Sequence, residues 1–243
     1  MKLRILNKIA LASALLILLA IPAKAGVDFG IGAVYNMADF ETSGVETEGT
    51  GAEAAANTGT EVSTATKKTK SVDYGHIFAE MIIKADEGLL SYIGLSTGID
   101  IQPGTHQIRS ESRTDTAVAS GAGQQATETH AATADVKNIV AIYLEPTLYI
   151  NDMIGIYAKS GVQRMSVAAK KTGGTSRYED QLVYGHVTGA GIRLTHGSGV
   201  YLKYEHVETD YDSIIMKSTT GNRNHISADL DQTTDRISIG YKF

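Results

Sequence analysis

A chain of 243 residues with no cysteine, no tryptophan and a formal net charge of −5 excludes two classes at once. It can hold neither a disulfide framework nor a thiolate metal site. An acidic chain is also ill suited to nucleic acid, whose phosphates demand basic surface.

At the N-terminus, Lys2, Arg4 and Lys8 precede an apolar run over residues 9–21, and Ala23-Lys24-Ala25 follows as a small-x-small cleavage site. This is the layout of a secretory signal peptide, residues 1–25, which would leave Gly26 as the first mature residue. The alternative is an uncleaved anchor, for which the run is short against the ~20 residues a spanning helix needs. Losing Lys2, Arg4, Lys8 and Lys24 moves the formal charge from −5 to −9. No later segment approaches ~18 consecutive apolar residues. If residues 26–243 lie in a membrane, they cross it as strands.

The mature chain opens with a strand over 27–37, in which Val27, Phe29, Ile31, Ala33 and Tyr35 alternate with Asp28, Gly30, Gly32, Val34 and Asn36. Residues 39–71, rich in Thr, Gly, Ala and Glu, show no apolar period and read as a long outer loop. A second strand covers 72–84, with Ile77, Ala79, Met81 and Ile83 on its apolar face and His76, Phe78, Glu80 and Ile82 on the other. Asp86-Glu87-Gly88 is a short turn. A third strand covers 91–101, and 102–137 is a second long polar loop.

The fourth strand, 139–150, points Val140, Ile142, Leu144, Pro146, Leu148 and Ile150 outward and Tyr143, Glu145, Thr147 and Tyr149 inward. Pro146 cannot donate to a ladder and predicts an irregularity in one pairing. The fifth strand, 154–167, tests the turn before it. A two-residue turn would send Lys159 into lipid. A three-residue turn, Asn151-Asp152-Met153, puts Lys159 inside and opposite Glu145, and is expected because a lipid-facing Lys near the midplane costs ~2–4 kcal/mol. Residues 168–181 form a shorter charged loop. The sixth strand is 182–195, a turn follows at 196–199, and the seventh strand starts at Val200. A fourth loop runs over 209–230.

The eighth strand closes the chain. Ile237, Ile239, Tyr241 and Phe243 alternate with Arg236, Ser238, Gly240 and Lys242, giving one apolar and one polar face. Long polar connections follow strands one, three, five and seven, and short turns follow two, four and six. The fold class is therefore all-β: an eight-stranded, antiparallel, up-and-down transmembrane barrel with both termini on the periplasmic side. Its first and last strands must pair, because an open edge in lipid is not viable. A secreted lipocalin-like barrel or sandwich is the soluble alternative.

Glu145-Pro146, Ile150-Asn151-Asp152, Ile156-Tyr157, Lys203-Tyr204-Glu205 and the terminal Gly240-Tyr241-Lys242-Phe243 resemble the small outer-membrane barrel family that includes OmpX, Ail and the opacity proteins. The resemblance covers the barrel, not the loops. The loops at 39–71 and 102–137 are longer than is usual there, and the missing Trp leaves the aromatic girdle to Tyr and Phe. The family implies a bacterial outer-membrane location. It also implies that Ile237, Ile239, Tyr241 and Phe243 act as the signal read by the barrel-assembly machinery. Its members include adhesins, complement-evasion proteins and stabilisers, so it implies the fold more strongly than the role.

Inward charges of both signs balance: Asp28, Glu80, Asp100, Glu145 and Glu205 against Lys159, Arg193, Lys203, Arg236 and Lys242. Glu80, Glu145, Lys159, Glu205 and Arg236 fall near mid-height. An eight-stranded barrel is just wide enough inside for side chains to fill, and buried charges must be paired, so the set reads as an ion-pair plug. The alternative is a gated narrow pore. His196-Gly197-Ser198 with Glu205 downstream could be drawn as a hydrolase triad, but reads as a polar turn. Seven His show no metal-ligand spacing. Lys67-Lys68-Thr69-Lys70 and Lys170-Lys171 are basic spots that could meet phosphates of lipopolysaccharide.

The expectation is a monomeric, non-enzymatic surface or envelope protein without cofactor or metal. Its lipid partners are outer-membrane lipids and lipopolysaccharide, and its outer loops engage a host or neighbouring surface. A small passive pore is the second reading, and an envelope-lipid enzyme the third.

Overall fold

The last strand pairs with the first. β1 (Ala25–Thr47) runs antiparallel to β9 (His225–Lys242) from Gly30 opposite Lys242 to Thr47 opposite His225. Two further backbone bonds between Phe29 and Phe243, of 3.0 and 2.9 Å, extend the seam to the terminus. The computed structural model describes residues 25–47, 62–85, 88–118, 125–172, 177–220 and 225–243.

Between these two strands lie β2 (Val62–Ala85), β3 (Ile93–Val118), β4 (Gln125–Tyr149), β5 (Ile154–Thr172), β6 (Gln181–Thr195) and β7 (Val200–Tyr211), each antiparallel to its neighbour. β8 (Ile214–Lys217) pairs only with β9 and continues the line of β7 after a break at Asp212-Ser213. The result is a closed eight-stranded antiparallel barrel. Closure satisfies the backbone polar groups at the β1 and β9 edges, which would otherwise be exposed.

Ala25 and Gly26 open β1 opposite Ala85 and Lys84. Ala23 and the other residues through 24 of the expected signal peptide, 1–25, lie outside the described residues, as do residues 86–87 of the turn after β2. A short 3-10 turn, Leu89–Tyr92, delays the third strand by two residues relative to the sequence reading.

A band of large apolar side chains stands outward around the short-turn half. It includes Phe29, Ile31, Ile77, Ile142, Leu148, Ile156, Ile192, Leu202, Ile237 and Ile239. Ile142, at 62% exposure, and Ile77, at 60%, are as bare as side chains on a tip, yet lie in mid-strand. A water-exposed sheet would hide this face. Tyr35, Tyr184 and Tyr204 stand along the upper edge of the band and Tyr241 at its lower edge.

The four stretches expected to be polar loops, 39–71, 102–137, 168–181 and 209–230, are in large part strand. β1 continues to Thr47 and β2 begins at Val62. β3 and β4 pair out to Val118 and Gln125, β5 reaches Thr172, and β9 begins at His225. The reason is that above the band the outward face is polar, so the contrast between faces disappears while the backbone ladder continues. Only the inward face keeps a signal, in Phe40, Ile108, Val136, Met165 and Leu230, all buried. Register irregularities gather where the strands leave the band. Two fall between Gln102 and Thr105, where Gly104 has φ of 114°, and between Lys137 and Val140, where Asn138 has φ of 50°, and two more lie higher, at Gln107/Arg109 and Thr42/Gly44. Such bulges bend a strand and sharpen its twist.

The turn between β4 and β5 has three residues, closed by the Ile150 N–H donating to the Ile154 carbonyl at 2.9 Å. Tyr143 therefore faces Gly161 and Tyr149 faces Gly155. The ladder to β5 is interrupted opposite Glu145 and Pro146 with the register unchanged, while Pro146 keeps its place opposite Leu95 on β3. A residue without an N–H leaves that gap.

Inside, glycines make room for tyrosines. A Cβ on Gly191 would sit 2.6 Å from the Tyr157 ring and 2.5 Å from the Tyr204 carbonyl oxygen. Gly191→Val is expected to lower barrel stability by about 1–3 kcal/mol, the usual penalty of overpacking. Urea unfolding in lipid vesicles, followed by gel mobility of unheated samples, measures it; an unchanged midpoint would show that Tyr157 has room to move.

Candidate functional site

The interior is built in layers. Tyr201, near the short-turn end of β7, packs edge to face with Phe78, which is level with Asp100, with centroids 6.2 Å apart. Around this pair lies a layer of four acids and four bases: Glu80 and Asp100 on β2 and β3, Glu145 and Lys159 on β4 and β5, Arg193 on β6, Lys203 and Glu205 on β7, and Arg236 on β9. All eight are buried, with Glu145 at 0% and Glu205 at 1% exposure.

Arg193 grips Glu80 with Nη2 at 2.8 and 2.9 Å from the two carboxylate oxygens, and reaches Glu145 at 3.3 Å. Its Nη1 donates to the Ser96 hydroxyl at 3.1 Å. Lys203 sits between carboxylates, 2.7 and 2.8 Å from Glu145 and 3.1 Å from Glu205. Lys159 is 3.2 Å from Glu145 and 3.1 Å from Glu205. Arg236 closes the ring, 2.5 Å from Asp100 and 3.2 Å from Glu205. No member depends on one partner, which is the condition under which buried charges are tolerated.

Tyrosines complete the layer. The Tyr157 hydroxyl donates to Glu205 at 2.8 Å. The Tyr143 ring lies under Lys159, with Nζ 3.8 Å from its centroid, a contact strengthened by desolvation. Asn36 bonds His76 at 2.8 Å, and His76 bonds Arg236 at 2.6 Å. One level higher, Gln232 accepts from Tyr211 at 2.7 Å and donates to Tyr74 at 2.7 Å, while Gln163 bonds both Tyr211 and Gln232. An apolar layer of Phe40, Ile108, Val136, Met165, Val183 and Leu230 then fills the barrel above. Charge, amide and apolar layers are thus stacked in one lumen.

Of the inward charges read from the sequence, Glu80, Glu145, Lys159, Glu205, Arg236, Arg193 and Lys203 lie in this layer. Asp100, placed inward by alternation but not at mid-height, belongs to it as well, through its bond to Arg236. Sequence reading did not find the roles of His76, Asn36, Tyr143 and Tyr157. Inward alternation was their only signal, and it does not say which side chains on different strands meet. Asp28 and Lys242 pair at 2.7 Å below the layer, near the short turns.

The seam residues Ile237, Ile239, Tyr241 and Phe243 point outward. His196 and Ser198 bond each other at 2.9 Å in an exposed turn. Glu205 is held by Tyr157, Lys159, Lys203 and Arg236, so it does not serve that pair as a third member. The basic spots are engaged by neighbouring strands: Lys67 by Glu41, Lys68 by Glu111 at 2.8 Å, and Lys170 by Asp135 at 2.7 Å. The hydrogen bond from Lys68 holds the Glu111 carboxyl below its ordinary range.

No protein-family model matches the chain, and no curated protein matches it in sequence. Solved structures similar to it include Ail, the attachment invasion locus protein of Yersinia pestis, at 10% identity and a TM-score of 0.41 over 86% of this chain and 98% of that one. OprG of Pseudomonas aeruginosa is similar at 16% identity and a TM-score of 0.43, over 87% and 96% of the two chains. The outer membrane protease OmpT of Escherichia coli follows at 10% identity and a TM-score of 0.34, over 89% and 97%. The chain's own geometry defines its class: a closed eight-stranded antiparallel barrel with an apolar outer band and a charge-filled interior.

Proposed function

We propose that this chain is an outer-membrane barrel that acts as a non-conducting, non-enzymatic envelope protein, holding long strand extensions above the lipid for contact with a host or neighbouring surface. The observation that carries the reading is the pairing of two opposed surfaces. The outward band is apolar in mid-strand, as a lipid-facing wall requires. The inward layer is a fully cross-paired set of charges, as a stabilising plug requires and an open pore does not. In this reading the short turns face the periplasm and the long strands face outward. The seam strand ending in Phe243 offers the assembly machinery its alternating apolar face. The extensions of β1–β2 and β3–β4 are the contact surfaces, and lipopolysaccharide surrounds the band.

Planar-bilayer recording of the mature chain, residues 26–243, tests the plug. The expected record shows no discrete channel steps. Reproducible unitary currents would overturn the non-conducting reading and favour a passive pore. Shortening the β1–β2 extension above Thr42 and Lys68, and the β3–β4 extension above Glu111 and Ala132, is expected to abolish attachment of expressing cells to the surface they bind while leaving the barrel folded. Undiminished attachment would remove the contact role.

A further inference from the structure

Above the apolar layer the strand extensions enclose a second feature, a cup of about 460 Å³ between the ends of β1, β2, β3, β4, β5, β8 and β9. That volume falls within the range of about 300–1,000 Å³ typical of small-molecule pockets. Its walls are apolar: Ile108, Val167, Ile214, Met216, Ala228 and Leu230 line it. Where tyrosines fill the lumen below, small side chains such as Ala132, Ala134 and Ala169 face this space. Its rim is charged but balanced among the described residues. Lys68, Arg109 and Lys170 stand against Glu46, Glu111 and Asp229, and the Tyr178 hydroxyl donates to Glu46 at 3.2 Å. Lys68 is bonded to Glu111 and Lys170 to Asp135. An apolar interior selects for a desolvated body, and the described rim charges, being balanced, favour a ligand of neither sign.

We propose that the cup is a binding site for an uncharged, single-chain apolar molecule with a small polar head, of the class of medium-chain alcohols, which enters from the long-strand end. The chain lies among Ile108, Ile214, Met216 and Leu230, and the head stays at the rim beside Tyr178. The site goes beyond the surface-contact role and would stand if that role failed, since it depends on the barrel interior and not on an external partner.

The chain has no tryptophan, so Tyr178→Trp gives emission from the cup alone. The mature barrel carrying this substitution, in nanodiscs of unbrominated phosphatidylcholine, is titrated with a terminally brominated undecanol, whose bromine quenches on contact. Saturable quenching with half-saturation in the micromolar range is expected. Adding Ala228→Phe, which fills the cup, is expected to raise the half-saturation point at least tenfold. Tyr204→Trp, on the lipid-facing band, reports membrane partitioning and should be quenched without saturating. Quenching at Tyr178→Trp that does not saturate, or that Ala228→Phe leaves unchanged, would overturn the site. Should Ala228→Phe fail to show the heat-modifiable mobility of a folded barrel, Ala134→Phe on another wall makes the same test. Brominated undecanoate and the matching ammonium salt decide the head group. Both should bind more weakly than the alcohol, and a tenfold preference for either over the alcohol would refute an uncharged ligand.

Discussion

Glu145→Gln is expected to lower the folding free energy of the barrel by about 3–5 kcal/mol, the cost of stranding a buried charge. Glutamine keeps the volume and an acceptor oxygen but removes the negative charge. Three cations converge on that carboxylate: Lys203 at 2.7 Å, Lys159 at 3.2 Å and Arg193 at 3.3 Å. Neutralising it leaves one uncompensated positive charge in a layer with no exposed member. Urea titration of protein folded in lipid vesicles measures the loss. Pairing the change with Lys203→Gln is expected to recover about 1–3 kcal/mol, because the two residues form one network and their effects do not add. A loss under about 1 kcal/mol for Glu145→Gln alone would show that water enters the layer and screens it, and the plug would lose its physical basis.

Ile142→Arg is expected to cost about 2–4 kcal/mol, whereas Ile150→Arg should cost about 0–1 kcal/mol. Both side chains are more than half exposed; Ile142 lies on the outward face of β4 and Ile150 directly after its last residue. They differ in height. Ile142 pairs with Ile99 and Val162 in mid-band, while Ile150 adjoins the three-residue turn. In water the two substitutions would be nearly equivalent, since each replaces a bare apolar side chain by a soluble one. In a bilayer only the first places a guanidinium in hydrocarbon. Matching costs for the two, or a gain in stability at Ile142, would place the band in water and exclude the membrane reading.

The two expectations probe opposite walls of the same strand, and that division explains what the sequence could reveal. On β4 the alternation of Ile142, Leu144, Pro146 and Leu148 with Tyr143, Glu145 and Thr147 separates the walls without reference to any neighbour. Two faces in different media impose a period of two on every residue between them. The three-residue turn after Ile150 followed from one energetic comparison, Lys159 in lipid against Lys159 beside Glu145. Beyond the band that contrast ends. At 102–137 and 39–71 the outward face meets water, Thr, Ala and Gly suffice on it, and only the scattered inward Phe40, Ile108 and Val136 mark the pairing. Strands that continue there look like loops in one dimension.

Taken alone, the amino-acid sequence determined the number of barrel strands, their inward and outward residues, the closure of Ile237 to Phe243 against β1, and the balance of signs inside. Each follows from local alternation, which a chain carries in its own order. Tertiary structure decided which acid meets which base. It brought Asp100 to Arg236 across 136 positions and Glu80 to Arg193 across 113, and it raised the long polar stretches into paired walls around a cup. Those contacts depend on strand register and on the stagger of the closed barrel, and both are set by all eight strands together.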